Sequence, residues 1–131
     1  MERDAIRRLF ERLDQQPHLR FPQLRESLDA PKEHHGVYVI RNPRGRVEHV
    51  GRTLRGRDRL LQRLRNHLRG QSSYIRKHHA GDGNILRSGY TYQYLAVAND
   101  RARALLEHYA TAWYCPVHLG LGLRSIPPNE T

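Results

Sequence analysis

The stretch GVYVIRNPRGRVEHVG, residues 36–51, decides the fold. Residues 36–41 are rich in β-branched and aromatic side chains, which predicts a strand. Residues 42–45, Asn-Pro-Arg-Gly, have the composition of a tight turn. Residues 46–50 alternate in polarity, as a returning strand does. The stretch therefore predicts a β-hairpin that closes at Gly51.

Outside the hairpin, the periodicity of apolar residues predicts helices and one more strand. A third strand is expected over 90–98, and the basic, Gly-rich residues 70–89 predict a long functional loop. The predicted helices cover residues 3–15, 22–28, 58–69 and 101–114, with Asn99 or Asp100 as the cap of the last one. This order predicts an α/β (α+β layered) domain, in which helices flank a three-stranded antiparallel or mixed sheet.

Residues 58–69 give the clearest helical pattern. Asp58 is suited to cap its start and Gly70 to end it. At about 100° per residue, Arg63 and His67 project from one edge of the apolar stripe, one turn apart. This helix therefore presents a cation and an imidazole side by side.

The composition favours a nucleic-acid partner. The 131 residues include 23 Lys and Arg against 13 Asp and Glu, a formal net charge of +10. Such an excess favours a polyanion. The single cysteine, Cys115, excludes an internal disulfide and a four-cysteine zinc site. No apolar run is long enough for a membrane span, and residues 1–4 lack the apolar stretch of a signal peptide, so a cytoplasmic protein without a membrane partner is expected.

The ordered set of hairpin and helix residues resembles the GIY-YIG nuclease family. Gly36-Val37-Tyr38 stands at the first motif, and His49-Val50-Gly51 at the second, where the family usually begins with Tyr. Arg63 with His67 matches the family's helix, and Glu107 followed by Pro116 matches its later one. The Asn that often follows this Pro is not found at residues 117–119. The resemblance covers residues 34–120 and implies a GIY-YIG-like nuclease domain at 34–131, preceded by an N-terminal helical extension at 1–33 within one globular unit.

The resemblance implies a catalytic set of Tyr38, His49, Arg63, His67 and Glu107. In this set Glu107 is the ligand of Mg²⁺ or Mn²⁺, and Arg63 stabilises the charge on the phosphate. Tyr38 is the general base, with His67 as the group that orients it or accepts its proton. His49 could donate to the phosphate or accept a proton, so activity is expected to titrate near about pH 6–7. The implied reaction is hydrolysis of a phosphodiester bond in DNA, and the residues alone would also suit RNA.

Further residues are expected to bind nucleic acid or to support the site. Tyr74 is a candidate for stacking on a base, and His118 could tether the Glu107 helix or touch the metal. Zinc is not expected at His78-His79, because adjacent histidines point apart and no acidic residue stands at ligand spacing. The predicted nucleic-acid contacts are Arg52, Arg59, Tyr74, Arg76 and Lys77.

Two other interpretations stay open from the sequence. His49 and the missing Asn allow a catalytically degenerate basic module that binds nucleic acid without cutting it. Alternatively, the helices over residues 3–28 could dock another protein. The sequence gives neither the target specificity nor the oligomeric state.

Overall fold

A computed structural model of the chain describes residues 1–54, 56, 58–119 and 126–130. Four strands form one antiparallel sheet in the order β1-β4-β2-β3, so the protein is a mixed α+β fold. The elements are α1 (Glu2–Asp14), β1 (Leu19–Arg20), β2 (Gly36–Arg41), β3 (Val47–Arg52), α2 (Leu60–Leu68), α3 (Ser73–His78), a 3₁₀ turn (Gly83–Arg87), β4 (Thr91–Ala96), α4 (Asp100–Tyr114) and a second 3₁₀ turn (Pro128–Glu130). None of the described helices has the length and apolar character that crossing a membrane requires.

One face of the sheet is aliphatic and carries α1 and α4. Phe10 and Leu13 of α1 pack there against Leu106 of α4. The sheet contributes residues of its three long strands, which are Val37, Val39, Val47, Val50 and Leu95. α1 therefore shares a core with the sheet, while the domain boundary at residue 33 stays a prediction.

The opposite face is rich in tyrosines and carries α2 and α3. Tyr38 and Tyr92 lie there with no more than 1% of their surface exposed. The helices cover them with Leu60, Leu64 and Ile75. Polar hydroxyl groups are consequently buried on this face, and each needs a hydrogen-bond partner.

A β-bulge in β3 puts Glu48 and His49 on the tyrosine-rich face together. Arg41 pairs with Val47 and Ile40 with His49, which leaves Glu48 without a partner residue in β2. Val47 and Val50 both pack on the aliphatic face although they are three residues apart. The two residues between them must therefore point the other way, and strict alternation over residues 46–50 is wrong.

The sheet has one strand more than the three expected. β1 is only two residues long, and Leu19 and Arg20 pair with Tyr92 and Thr91 at the outer side of β4. The helix expected over 22–28 is also absent, since those residues form a turn in which Arg25 has φ +75°. A non-glycine residue with this φ cannot continue a right-handed helix.

The segment 70–89 is structured, contrary to the loop expected there. It contains α3 and the first 3₁₀ turn. Ser72 caps α3 by accepting a hydrogen bond from the amide of Ile75. Gly70 adopts φ +73° after α2, which fits its expected role as the residue that ends that helix.

Of the two predicted N-terminal helix caps, the one of α4 is confirmed and the one of α2 is wrong. Asn99 caps α4, because its side-chain oxygen accepts a hydrogen bond from the amide of Ala102 at 2.9 Å. Asp58 does not cap α2: the helix begins at Leu60 with Arg59 in the cap position and no side-chain hydrogen bond there.

Candidate functional site

A buried hydrogen-bonded chain lies at the centre of the tyrosine-rich face. The Tyr38 hydroxyl and Nε2 of His67 share a hydrogen bond of 2.7 Å. Nδ1 of His67 is 2.6 Å from the hydroxyl of Ser72. β2, α2 and the start of α3 are thus joined through three side chains. The pairing of Tyr38 with His67 agrees with the arrangement expected from the sequence.

Gly51 is required for the position of Tyr38. The two residues face each other across β2 and β3. A Cβ atom at residue 51 would lie 2.4 Å from the Tyr38 hydroxyl oxygen, a distance that real Cβ atoms do not reach. Gly36, the first residue of the hairpin, is restricted in the same way, since a Cβ atom there would lie 2.2 Å from the Leu95 carbonyl oxygen. Both glycines therefore make close packing around Tyr38 and α2 possible.

Tyr38 and His67 are both held in their neutral forms. Burial raises the pKa of Tyr38 above its usual value, and the nearby Arg63 guanidinium lowers it by a smaller amount. Burial, followed by the charge of Arg63, lowers the pKa of His67 to about 3. The Tyr38 hydroxyl therefore keeps its proton near neutral pH, and the His67 imidazole can accept a hydrogen bond.

Three charged side chains adjoin this pair. The guanidinium of Arg63 lowers the Tyr38 pKa, and the carboxylate of Glu107 raises it through its charge. Glu107 is paired with Arg52, whose Nη1 donates to Oε1 at 2.6 Å. The Glu107 side chain is only 20% exposed. The charges of Arg63 and Glu107 therefore both act on the Tyr38 hydroxyl, and Arg52 is tied to Glu107.

His49 lies beside the same cluster, with its ring stacked on Tyr74 at 4.7 Å and 3° between the planes. Burial lowers its pKa well below the usual value, and the charges of His67, His118 and Arg63 act in the same direction. His49 is therefore neutral at physiological pH, and the expected titration near pH 6–7 is not supported.

Two polar atoms of this cluster are buried without a hydrogen-bond partner among the described residues. They are Nδ1 of His49 and Nε of Arg63. An unsatisfied buried polar atom is unfavourable and is most common at functional sites. These atoms are available to a bound group that can form hydrogen bonds with them.

Tyr74 is not available for stacking on a base. Its side chain is fully buried, and its hydroxyl donates to Oε1 of Glu48 at 2.8 Å. The expectation that Tyr74 contacts nucleic acid is therefore wrong, because α3 turns the ring into the core. By contrast, Arg76 and Lys77 on the same helix are exposed, and Arg59 before α2 is half-buried.

A second polar cluster surrounds the Glu48 carboxylate. Tyr74 and Tyr90 donate to its two oxygens, and Nε2 of His79 lies 2.9 Å from Oε1. Nε2 of His78 is 3.7 Å from the same oxygen. These ligand atoms of Glu48, His78 and His79 lie within 4.8 Å of one another, so the cluster could hold a metal ion.

Sequence reasoning missed this cluster for two reasons. Glu48 is an acidic neighbour of the two histidines, but it comes from a strand some thirty residues earlier and faces them only because of the bulge. The histidines do not point apart, because α3 ends at His78 and His79 has left helical geometry. The spacing of Val47 and Val50 was the one signal in the sequence that could have shown the bulge.

His118 is tied to the same strand by its backbone. Its amide donates to the Glu48 carbonyl at 2.8 Å, and the Val117 amide donates to the Val47 carbonyl. The His118 ring lies 5.6 Å from the His49 ring and 5.5 Å from that of Tyr74. The segment after Pro116 therefore anchors the end of α4 beside both clusters.

Comparison of the chain with protein-family models, curated proteins and solved structures gives no match. The site is a buried Tyr–His pair next to two arginines and one carboxylate, with a Glu–His–His cluster on the other side of Tyr74.

Proposed function

We propose that this protein is a metal-dependent endonuclease that hydrolyses phosphodiester bonds in DNA, with a GIY-YIG-type catalytic domain. The observation that carries the proposal is the buried hydrogen bond between Tyr38 and His67, with the charges of Arg63 and Glu107 near enough to act on the Tyr38 hydroxyl. Residues so far apart in the chain meet by chance much less often than residues of one helix face. Together they offer the groups that phosphodiester hydrolysis requires.

The two arginines would bind the scissile phosphate. Arg63 has a buried Nε without a partner among the described residues, and Nη1 of Arg52 is close to the cluster in its pairing with Glu107. A guanidinium donates paired hydrogen bonds to phosphate oxygens and stays charged throughout the reaction. The charge that develops on the phosphate in the transition state would thus meet fixed positive groups.

Tyr38 and His67 would move the proton of the attacking water. The Tyr38 oxygen can accept that proton while its own proton passes to Nε2 of His67, along the 2.7 Å hydrogen bond. The positive charge of Arg63 contributes to the low pKa of His67. A phosphate bound to Arg63 would offset this charge and make His67 a better proton acceptor.

Glu107 would hold the divalent ion, Mg²⁺ or Mn²⁺. A single carboxylate suits these ions when water and phosphate oxygens supply the other ligands. The half-buried carboxylate, whose charge acts on the Tyr38 hydroxyl, fits this requirement, provided that Arg52 transfers its hydrogen bond from Glu107 to the phosphate. When bound, the ion would neutralise charge on the phosphate and on the leaving oxygen.

DNA is the proposed substrate because of the family resemblance and the net charge of +10. Arg59, Arg76 and Lys77 are the side chains proposed to contact the phosphate backbone around the cluster. Their positions on α3 and before α2 border the elements that carry His67 and Arg63.

The test is nicking of supercoiled plasmid in the presence of Mg²⁺ or Mn²⁺. We expect Arg63→Ala and Glu107→Gln to lower the rate by about 10²-fold or more, since each removes charge stabilisation in the transition state. Arg65→Ala and Glu33→Gln are matched controls, because both residues are exposed and Arg65 lies on the same helix as Arg63. Cutting at the wild-type rate by both site variants would contradict the proposal.

A nucleic-acid-binding module without catalysis is the second candidate. The ion pair between Arg52 and Glu107 favours it, because it occupies the carboxylate that the metal would need. This candidate predicts salt-sensitive DNA binding with no metal-dependent nicking in the same assay.

A further inference from the structure

We propose that Glu48, His78 and His79 form a zinc site, separate from the Glu107 carboxylate. Each supplies one atom: Oε1 of Glu48 and Nε2 of the two histidines. Two imidazoles and one carboxylate are a donor set that Zn²⁺ binds well, whereas Mg²⁺ prefers oxygen ligands. The site thus calls for a different ion from the one proposed at Glu107.

The distances fit a tetrahedral ion. With metal–ligand bonds of about 2.0–2.2 Å, two ligand atoms of such a site are about 3.4 Å apart. The distances from Oε1 of Glu48 to Nε2 of His79 and of His78 are 2.9 and 3.7 Å, on either side of that value. The whole set spans no more than 4.8 Å. Small adjustments of the side chains would therefore bring all three atoms to bonding distance.

Hydrogen bonding accounts for part of the cluster but not for His78. His79 is within hydrogen-bond distance of Glu48, but the His78 nitrogen at 3.7 Å is not. The His78 ring is nonetheless 4.7 Å from that of His79, and its Nε2 lies near the same carboxylate oxygen. A metal ion bound by all three residues would explain why both histidine nitrogens lie around one oxygen atom of Glu48.

The Glu48 carboxylate is held by hydrogen bonds from two tyrosines, as carboxylates that bind metals are held by neighbouring groups. Tyr74 donates to Oε1 and Tyr90 to Oε2, which fixes the plane of the Glu48 carboxylate. The orientation of the carboxylate is thus set by outer hydrogen bonds, as it is for carboxylates that bind metal ions.

Zinc at this place would connect two elements that support the catalytic cluster. Glu48 belongs to the bulge of β3, and the histidines end α3. Tyr74 touches both sites, since its hydroxyl donates to Glu48 and its ring stacks on His49. The ion would thus fix α3 against β3 and hold the Tyr74 ring that lies on His49.

The direct test is zinc binding by the full chain. The affinity tag is removed, bound metal is stripped with a chelator, and the chain is then incubated with Zn²⁺. We expect one tightly bound Zn²⁺ per chain, measured by mass spectrometry of the metal after gel filtration. His78→Ala and His79→Ala should lose it. His108→Ala and Glu107→Gln are the controls and should keep it, because His108 is exposed on α4 and Glu107 belongs to the other cluster.

A thermal measurement separates loss of the site from loss of the fold. His78 is exposed, so His78→Ala should fold normally without metal. Zn²⁺ at about 100-fold above its Kd should raise the Tm of the wild type by roughly 8 °C and leave that of His78→Ala unchanged. A wild-type chain without bound zinc, or zinc binding by His78→Ala and His79→Ala equal to that of the wild type, would overturn the proposal. Neither result depends on nicking, so the nuclease proposal is tested separately.

Discussion

The two faces of the sheet differ in what they bury. The aliphatic face holds α1 and α4 mainly through valines, leucines and Phe10, and its buried polar side chains, Gln93 and Arg103, donate to backbone carbonyls. The tyrosine-rich face buries Tyr38, His67 and Glu48, each of which must find a partner or a role. Because burying polar groups is costly unless they are paired, the second face is where function is to be expected.

The difference lies in side-chain chemistry rather than in depth of burial. Val39 and Tyr38 are neighbours on β2, and both are fully buried. One contributes contact area alone, while the other places a hydroxyl 2.7 Å from an imidazole. Substitutions on the two faces should therefore separate stability from activity.

The largest effect is expected from Tyr38→Phe. This change removes the hydroxyl that we propose passes a proton to His67, so the nicking rate should fall by about 10²–10⁴-fold. The measurement is the rate per folded molecule on supercoiled plasmid with Mn²⁺.

Tyr92→Phe is the control for that variant. Tyr92 lies on the same face, and its hydroxyl donates to the Asp29 carbonyl at 2.7 Å, outside the cluster. It should lose about 1 kcal/mol of stability and little activity. Equal rates for the two variants would show that the Tyr38 hydroxyl has no part in the reaction.

Phe10→Ala tests the aliphatic face. Phe10 is 5% exposed and its ring packs against Tyr109, Trp113 and Tyr114. Its removal should lower the free energy of unfolding by about 3–5 kcal/mol, measured in urea, with little change in rate per folded molecule. Arg7→Ala, at an exposed position of the same helix, should change stability by less than about 0.5 kcal/mol. A large rate loss in folded Phe10→Ala would contradict the separation of the two faces.

The smallest effect is a pH dependence of stability that comes from His67. Its pKa in the folded protein, about 3, lies below that of the unfolded chain, near 6.5. Below pH 6.5 the unfolded chain binds a proton that the folded protein does not, so stability falls as the pH drops toward 3.

His67→Gln removes this titration and serves as the reference. Wild type should lose about 2 kcal/mol relative to this variant between pH 7 and pH 5, in urea unfolding at each pH. Parallel curves for the two proteins would show that His67 is not held neutral by the fold.

The sequence was sufficient for most elements with strong local signals. Periodicity predicted α1, α2 and α4, and β-branched residues predicted β2, β3 and β4. It missed β1, because two residues carry no pattern of their own and are held only by pairing with β4. It also missed α3, since six residues between glycines are too few to show helical periodicity.

Site residues could be predicted where their type and their position on one helix or strand were sufficient to place them. Helical spacing placed Arg63 and His67 one turn apart and the family resemblance selected them; in the structure His67 is hydrogen-bonded to Tyr38, and the charge of Arg63 acts on the same hydroxyl. The burial of Tyr74 and its bond to Glu48 did not follow, because they depend on how α3 packs on a bulged strand. Such contacts join distant parts of the chain and leave no local trace in the sequence.

Glu48 has an unusual place in this arrangement, since it is a residue that the sheet could do without. Without it, Val47 and His49 would still pair with Arg41 and Ile40 and would still point to opposite faces. The extra residue has no partner in β2, yet it delivers a carboxylate to two tyrosines and a histidine, and its carbonyl accepts from the His118 amide. Deleting Glu48 would therefore remove the carboxylate and the tether of the segment after α4 in one step.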